Sequence, residues 1–226
     1  VYLNDELVGL VTVTADQLGK ENQTQLAIEP RYISDFNRIR LELVGHYANV
    51  CENPANSTIG LDIGKASKLD LTLQKLPLKN DLSHFPEPFF DARDNRPLQL
   101  PMVFSGKPDV QQQRAAGLLA SWFGSQAQWR GQSFPVLYNQ LPEGQHAVVF
   151  ATNDRRPDFL QTLPPVDKPT VEMVSQPDNP YQKMLLILGR DDNDLITAVE
   201  GIAQGELLLR GERATIDSVK LLAPRQ

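Results

Sequence analysis

The stretch Pro30-Arg31-Tyr32-Ile33-Ser34-Asp35-Phe36-Asn37-Arg38-Ile39-Arg40-Leu41-Glu42-Leu43-Val44-Gly45-His46-Tyr47 decides how the first third of the chain reads. Turn-forming residues run as far as Asn37, and a strict alternation follows. Ile39, Leu41 and Leu43 fall on one side, and Arg38, Arg40 and Glu42 on the other. A period of two marks a half-buried strand, apolar toward a core and charged toward water. Working outward, Val1-Tyr2-Leu3 and Leu7 to Thr12 flank Asn4-Asp5, two residues that tolerate left-handed φ and so suit a tight hairpin. Thr24 to Ile28, Thr58 to Ile63 and Lys68 to Lys75 supply further short strands; in the last, Leu69, Leu71 and Leu73 are expected inward. Pro30 and Asn53-Pro54-Ala55-Asn56 punctuate the loops. Residues 1–76 therefore read as part of a β-sandwich or jelly roll, with too few strands to close one.

Residues 77–99 read as a proline-rich linker. Pro77, Pro86, Pro88 and Pro97 remove amide donors and restrict their predecessors. His84, Phe85, Phe89 and Phe90 are the groups expected to dock it on a neighbouring surface. From residue 100 the period changes. Leu100 to Phe104 is a buried strand. Asp109 to Phe123 is a helix with Ala115, Leu118, Leu119, Trp122 and Phe123 on one face and Gly124 as its stop. Phe134–Tyr138, Ala147–Ala151, Val171–Val174 and Met184–Leu188 are strands. Asp192–Gln204 is a second helix ending at Gly205, and Ala214–Leu222 a last strand. Strand–helix–strand twice over predicts a largely parallel sheet with covering helices across 100–226.

The chain has 226 residues, a net charge of -6 and a sequence pI near 5.1, so no cationic surface for nucleic acid is expected. No apolar run approaches the ~18 residues that span a bilayer. The chain starts at Val1, inside strand-like sequence, and reads as a piece of a longer protein. The one cysteine, Cys51, reads as a small buried hydrophobe, or as half of a pair whose partner lies elsewhere.

The chemistry-bearing candidates are few. Ser105-Gly106-Lys107-Pro108-Asp109 follows the first strand of the α/β part, where doubly wound sheets hold phosphates, but it lacks a glycine-rich phosphate motif and reads as a plain turn. Asp191, Asp192 and Asp194 could gather a hard cation, but capping of the second helix is the stronger reading. Asn153 to Asp158 is a polar loop at a strand's carboxyl end: a ligand loop, a solvated turn, or an arginine pair facing an acidic partner. The three histidines, His46, His84 and His146, have no metal spacing, and no nucleophile–base set stands out. No catalytic residue, metal or cofactor is therefore assigned. Tyr32, Phe36 and Tyr47 fall on loops or strand ends of the β part, where exposed rings could stack on sugars or else seal a sandwich edge.

Asn37 to Tyr47 followed by Cys51, then Leu100 to Ser105, His146 to Thr152 and Met184 to Gly189 in that order, resemble the regulatory, B-type subunit of bacterial cellulose synthase, over essentially the whole chain. The resemblance implies a mixed fold: the later part of a jelly-roll, carbohydrate-binding-like domain, then a flavodoxin-like α/β domain. It implies a non-catalytic periplasmic subunit, tethered to the inner membrane through an anchor outside this sequence. Its partners would be the catalytic synthase subunit, the emerging β-glucan and further copies of itself. The family is also linked to cyclic di-GMP. Here no two arginines have the R-x-x-x-R spacing, and Asp81-Leu82-Ser83-His84-Phe85-Pro86 departs from D-x-S-x-x-G at its last position, so direct binding is not expected. Two other functions compete: a sugar-binding module of a glycoside-processing enzyme, and a nucleotide- or flavin-binding α/β domain.

Overall fold

The computed structural model describes residues 1–226 other than 35, 49, 54–58, 73, 75, 206–208 and 220–226. The chain divides into two compact units, Val1–Thr72 and Leu73–Gln226.

In the first unit, β1 (Tyr2–Leu3) and β2 (Glu6–Leu7) form an antiparallel hairpin. Asn4 and Asp5 both have positive φ, 51° and 69°, the backbone that a two-residue hairpin turn requires. β3 (Ile39–Arg40) pairs with the other side of β1, Tyr2 opposite Arg40 and Leu3 opposite Ile39. The Arg40 guanidinium lies 3.9 Å from the centre of the Tyr2 ring. Among the described residues of this unit the other expected strands are not present. Residues 24–28 make no strand, β3 ends at Arg40, and no strand runs through the described parts of 58–63 and 68–75; Thr58, Leu73 and Lys75 lie outside the described residues. The side chains expected inward are exposed: Ile39 at 51%, Leu43 at 44% and Leu69 at 58%. Alternation tells which face a strand would bury, but only a lateral partner and a facing sheet bury it. β1 supplies a partner for two residues of this strand, and no further strand among the described residues pairs with the remainder. Cys51 is likewise exposed, against the expectation of burial.

The second unit holds a full core. Its strands are β4 (Leu98–Gln99), β5 (Met102–Phe104), β6 (Gln132–Ser133), β7 (Val136–Tyr138), β8 (Ala147–Thr152), β9 (Thr170–Gln176), β10 (Asn179–Gly189) and β11 (Arg213–Thr215). Its helices are α1 (Val110–Ala127) and α2 (Asp192–Gln204). Six strands form one sheet in the order β11-β9-β10-β8-β5-β7, and β4 pairs with β6 beside it. β7, β5, β8 and β10 are parallel, while β9 runs antiparallel to both its neighbours. The sheet is thus mixed. The reason is Pro177-Asp178, a two-residue turn between β9 and β10: a connection that short joins only antiparallel strands.

Alternate residues of each strand point to opposite layers. Met102, Phe104, Val148, Phe150, Leu185 and Ile187 meet both helices through Ala115, Leu119, Phe123, Leu195, Val199 and Ile202. Val103, Val149 and Leu186 face the other way, under Leu160, Val166 and Leu137. Both helices therefore cover one face, although α1 leads toward one edge of the sheet and α2 toward the other; the two crossovers have opposite hand. The consequence for function is local: both helices start at the same end of the sheet and on the same side.

Phe85, Phe89 and Phe90 dock on this core as expected, with Leu82 buried beside them, while His84 stays exposed. α1 runs through Gly124 to bury Ala127 and stops at Gln128, whose φ of 51° ends the helix. Glycine weakens a helix without ending it when packing continues beyond.

Candidate functional site

Two places carry side chains that could meet a ligand as the sequence anticipates: the braced loops of the β unit and the carboxyl end of the parallel strands.

The first is built on Asn4. Its Nδ2 donates to the Tyr32 carbonyl at 2.9 Å and to Asn37 Oδ1 at 3.0 Å, and its Oδ1 accepts from the Arg38 amide. Asn37 closes the loop from inside, accepting from the Ser34 amide and donating to the Ser34 carbonyl. The hairpin turn therefore fixes the loop that holds Tyr32 and Phe36. Phe36 projects from it 84% exposed. Tyr32 is half-buried, with the Arg31 guanidinium 4.8 Å above its ring and donating to its hydroxyl. Tyr47 stands on a separate turn. There Glu52 accepts from the Tyr47 and Ala48 amides and contacts His46 Nδ1 at 2.9 Å, and the Asn53 amide donates to the Tyr47 hydroxyl. Those contacts, the Ala48 amide first and His46 next, hold the Glu52 carboxyl below its ordinary range. Tyr47 is 46% exposed with its polar end occupied, so its ring is the part that faces out. Tyr32 and Phe36 share a loop; Tyr47 does not.

At the second place, the loops after β5, β8 and β10 come together, because β8 lies between the other two. Asp109 caps α1, accepting from the Gln111 and Gln112 amides, and Asp191 caps α2, accepting from Asn193 and Asp194. Arg155, from the loop after β8, sits between them. Its Nη1 is 2.5 Å from Asp109 and 3.8 Å from Asp192, and its Nη2 donates to the Lys107 carbonyl. Backbone hydrogen bonding from Gln112 holds Asp109 low, while burial, then the neighbouring Asp109, pushes Asp192 up. Helix amides at this end of a sheet are the usual phosphate cradle. Here aspartates already occupy them, and an anion would meet the carboxylates of Asp109, Asp191 and Asp192 beside the Arg155 guanidinium. Arg156 is also engaged within the chain, donating to the carbonyls of Leu163 and Pro164 and to Asn153 Oδ1. Both arginines of the pair are thus engaged within the chain. Asp194 accepts two hydrogen bonds from the Arg190 guanidinium and one from the Arg190 amide, so the acidic trio serves capping and pairing. Asp191 thus caps the second helix, as its sequence suggests.

Sequence reasoning passed over Lys183. It is 2% exposed within β10 and donates to Asn80 Oδ1 and Ser175 Oγ, each at 2.9 Å. Its only sequence signal was a cation adjoining the apolar run Met184–Leu188.

Fold and side chains together define a mixed α/β protein: a small antiparallel β unit, and a six-stranded sheet with helices on one face whose strand-end crevice is filled by its own ion pairs. Compared with known proteins, residues 1–75 match the family described as cellulose synthase BcsB, first CBM domain, and residues 81–216 the family described as cellulose synthase BcsB, first FD domain. The chain belongs to the cellulose synthase BcsB family. It is 60% identical over its whole length to a cyclic di-GMP-binding protein of Escherichia coli strain K12 and 61% identical to one of Salmonella typhimurium. A cyclic di-GMP-binding protein of Komagataeibacter xylinus is 32% identical over 87% of the chain. The chain spans 29% of the first two relatives and 24% of the third. No helix among the described residues is long and apolar enough to cross a membrane.

Proposed function

We propose that this chain is a non-catalytic, periplasmic part of a cellulose synthase assembly, one that scaffolds the synthase and guides the emerging β-1,4-glucan. On this reading residues 1–76 are the later part of a jelly-roll, carbohydrate-binding-like domain, 77–99 a linker, and 100–226 a flavodoxin-like domain. The strand order β7-β5-β8, with parallel pairing and α1 crossing from β5 to β7, supports the last assignment. The partners are the catalytic synthase subunit and further copies of the same protein, with tethering to the inner membrane through an anchor outside this sequence.

The observation that carries the glucan contact is Phe36, a large apolar ring held in water on a loop braced from three directions by Asn4 and Asn37. A rigid exposed ring meets the C–H face of a pyranose at little entropic cost. Tyr47 and Tyr32 add two more rings on fixed turns. The filled strand-end crevice favours surface contact over nucleotide chemistry in the α/β unit, and we take the cyclic dinucleotide in the relatives' names to be no direct ligand of this chain. The test is titration of the 226-residue chain with cellohexaose, followed by amide NMR shifts. Shifts should gather in residues 30–37 and 45–53 and shrink in Phe36→Ala and Tyr47→Ala. Wild-type spectra that stay still in both segments at millimolar sugar refute the glucan contact.

A further inference from the structure

The α/β unit contains a second recess at the end of the sheet opposite Arg155, beside the bulge where the β9–β10 register shifts between Asn179 and Lys183. It has a volume of about 440 Å³, within the roughly 300–1,000 Å³ of clefts that take small molecules. Lys183 forms its inner wall. An ammonium this buried ordinarily faces a carboxylate, because burial without a counter-charge is costly. Here two neutral oxygens receive it, Asn80 Oδ1 and Ser175 Oγ, and among the described residues no carboxylate stands within ion-pair distance. An ammonium has three hydrogens, and these two contacts leave the third for an occupant of the recess.

The rim selects that occupant. Lys79 brings a second positive charge, and Asp81 and Glu212 bring two negative ones, so the charged lining sums to zero. A multiply charged anion gains from the lysines and loses to the carboxylates. A hydroxyl both donates and accepts, and it satisfies both kinds of lining at once. Asp81 Oδ1 already accepts from the Ser83 and Gly211 amides, which fixes that carboxylate on the rim. Pro77, Leu78 and Pro180 complete the wall with C–H surface. A ligand with C–H bonds on its faces and hydroxyls at its edge matches both parts.

We propose that the recess around Lys183 is a binding site for a neutral polyhydroxyl ligand, a hexose unit or short oligosaccharide, with Lys183 Nζ donating to a hydroxyl oxygen and Glu212 accepting from a neighbouring hydroxyl. The site belongs to the α/β unit alone and does not depend on Tyr32, Phe36 or Tyr47.

The test is an amide NMR titration of the 226-residue chain with cellobiose, and separately with sodium acetate. Cellobiose is expected to shift the amides of Asn80, Ser175, Lys183 and Glu212. Glu212→Gln, on the exposed rim, and Lys183→Met should each weaken cellobiose by about tenfold, the worth of one charge-assisted hydrogen bond. If Lys183→Met loses its folded spectrum, Glu212→Gln decides alone. Silence at these four amides with cellobiose, or acetate binding that tightens in Glu212→Gln, overturns the proposal; the second result makes the recess an anion site. Shifts in residues 30–53 report the β unit separately, so either reading can fail without the other.

Discussion

Gly189 is the last residue of β10, and the chain turns from it into α2 within three positions. A Cβ there would lie 2.5 Å from Asp194 Cβ and 2.7 Å from the Asp191 carbonyl oxygen. The second obstacle is backbone and does not swing away. Gly189→Ala should therefore cost about 1–3 kcal/mol, the usual penalty of overpacking, read as a lowered urea midpoint. Asp194 is the reason the space is so tight: it packs under the turn to take the bidentate guanidinium of Arg190. That hydrogen bonding holds its carboxyl below the ordinary aspartate range, against the opposing effect of burial. The unfolded chain takes up this proton near pH 4 and the folded chain only below it. Stability from the pair is thus complete above about pH 4–5 and drains as the pH falls through the folded value. Asp194→Asn removes that proton uptake, so its acid limb should be flatter than wild type below about pH 4, measured by urea unfolding at stepped pH. A parallel decline in both proteins refutes the role of Asp194.

The two helices differ in how far their ends could be read. Asp191 and Gly205 bound α2 as its sequence suggests, one accepting amides and the other taking a φ of 66°. Removing the first cap, Asp191→Ala, should cost about 0.5–2 kcal/mol. In α1, Gly124 looks like a stop and is not one, because Ala127 still has core to reach. Gly117 lies in the same helix, exposed, and a Cβ added to it would meet nothing within 4 Å. Gly117→Ala should stabilise by about 0.5–1 kcal/mol, visible as a raised thermal midpoint by circular dichroism; a lowered one contradicts an open helical position. What was legible follows the same logic. The buried strands of the α/β unit announce themselves because both their faces are covered, so residues 147–151 and 184–188 are apolar throughout. Phe36 and Tyr47 were legible as exposed candidates because turn residues surround them. Beyond Arg40 no strand is present among the described residues of the β unit, since alternation does not say whether a partner strand exists. Lys183 was hidden for another reason: Ser175 faces it across the hairpin, but Asn80 lies 103 positions away, and no local pattern carries so long a contact.

At the scale of the molecule, the two units bury their apolar side chains very differently. Among the described residues of Val1–Thr72, Leu3 is the one fully buried hydrophobic side chain, and the sheet consists of three two-residue strands. The other unit buries both faces of its sheet, with Phe104 and Phe150 stacked 5.1 Å apart inside the helix-side layer. Burial of apolar area is the main favourable term in folding, so the two units should not share one stability. The braced loop around Asn4 is then held by hydrogen bonds that water can reach, each worth only about 0.5–1.5 kcal/mol net. Native-state hydrogen exchange of the 226-residue chain should separate them. Amides of Val148–Phe150 and Leu185–Ile187 should exchange slowest, near the global unfolding limit, and those of residues 1–53 orders of magnitude faster. A glucan segment that stacks on Phe36 and Tyr47 should slow exchange in residues 30–53 and leave the central strands unchanged, since a ligand stabilises the part of the chain whose folded form it binds. Uniform slow exchange across both units in the free chain would mean that the β unit draws its stability from a source other than its own core, and the loop bracing would lose its role as the element that presents the rings.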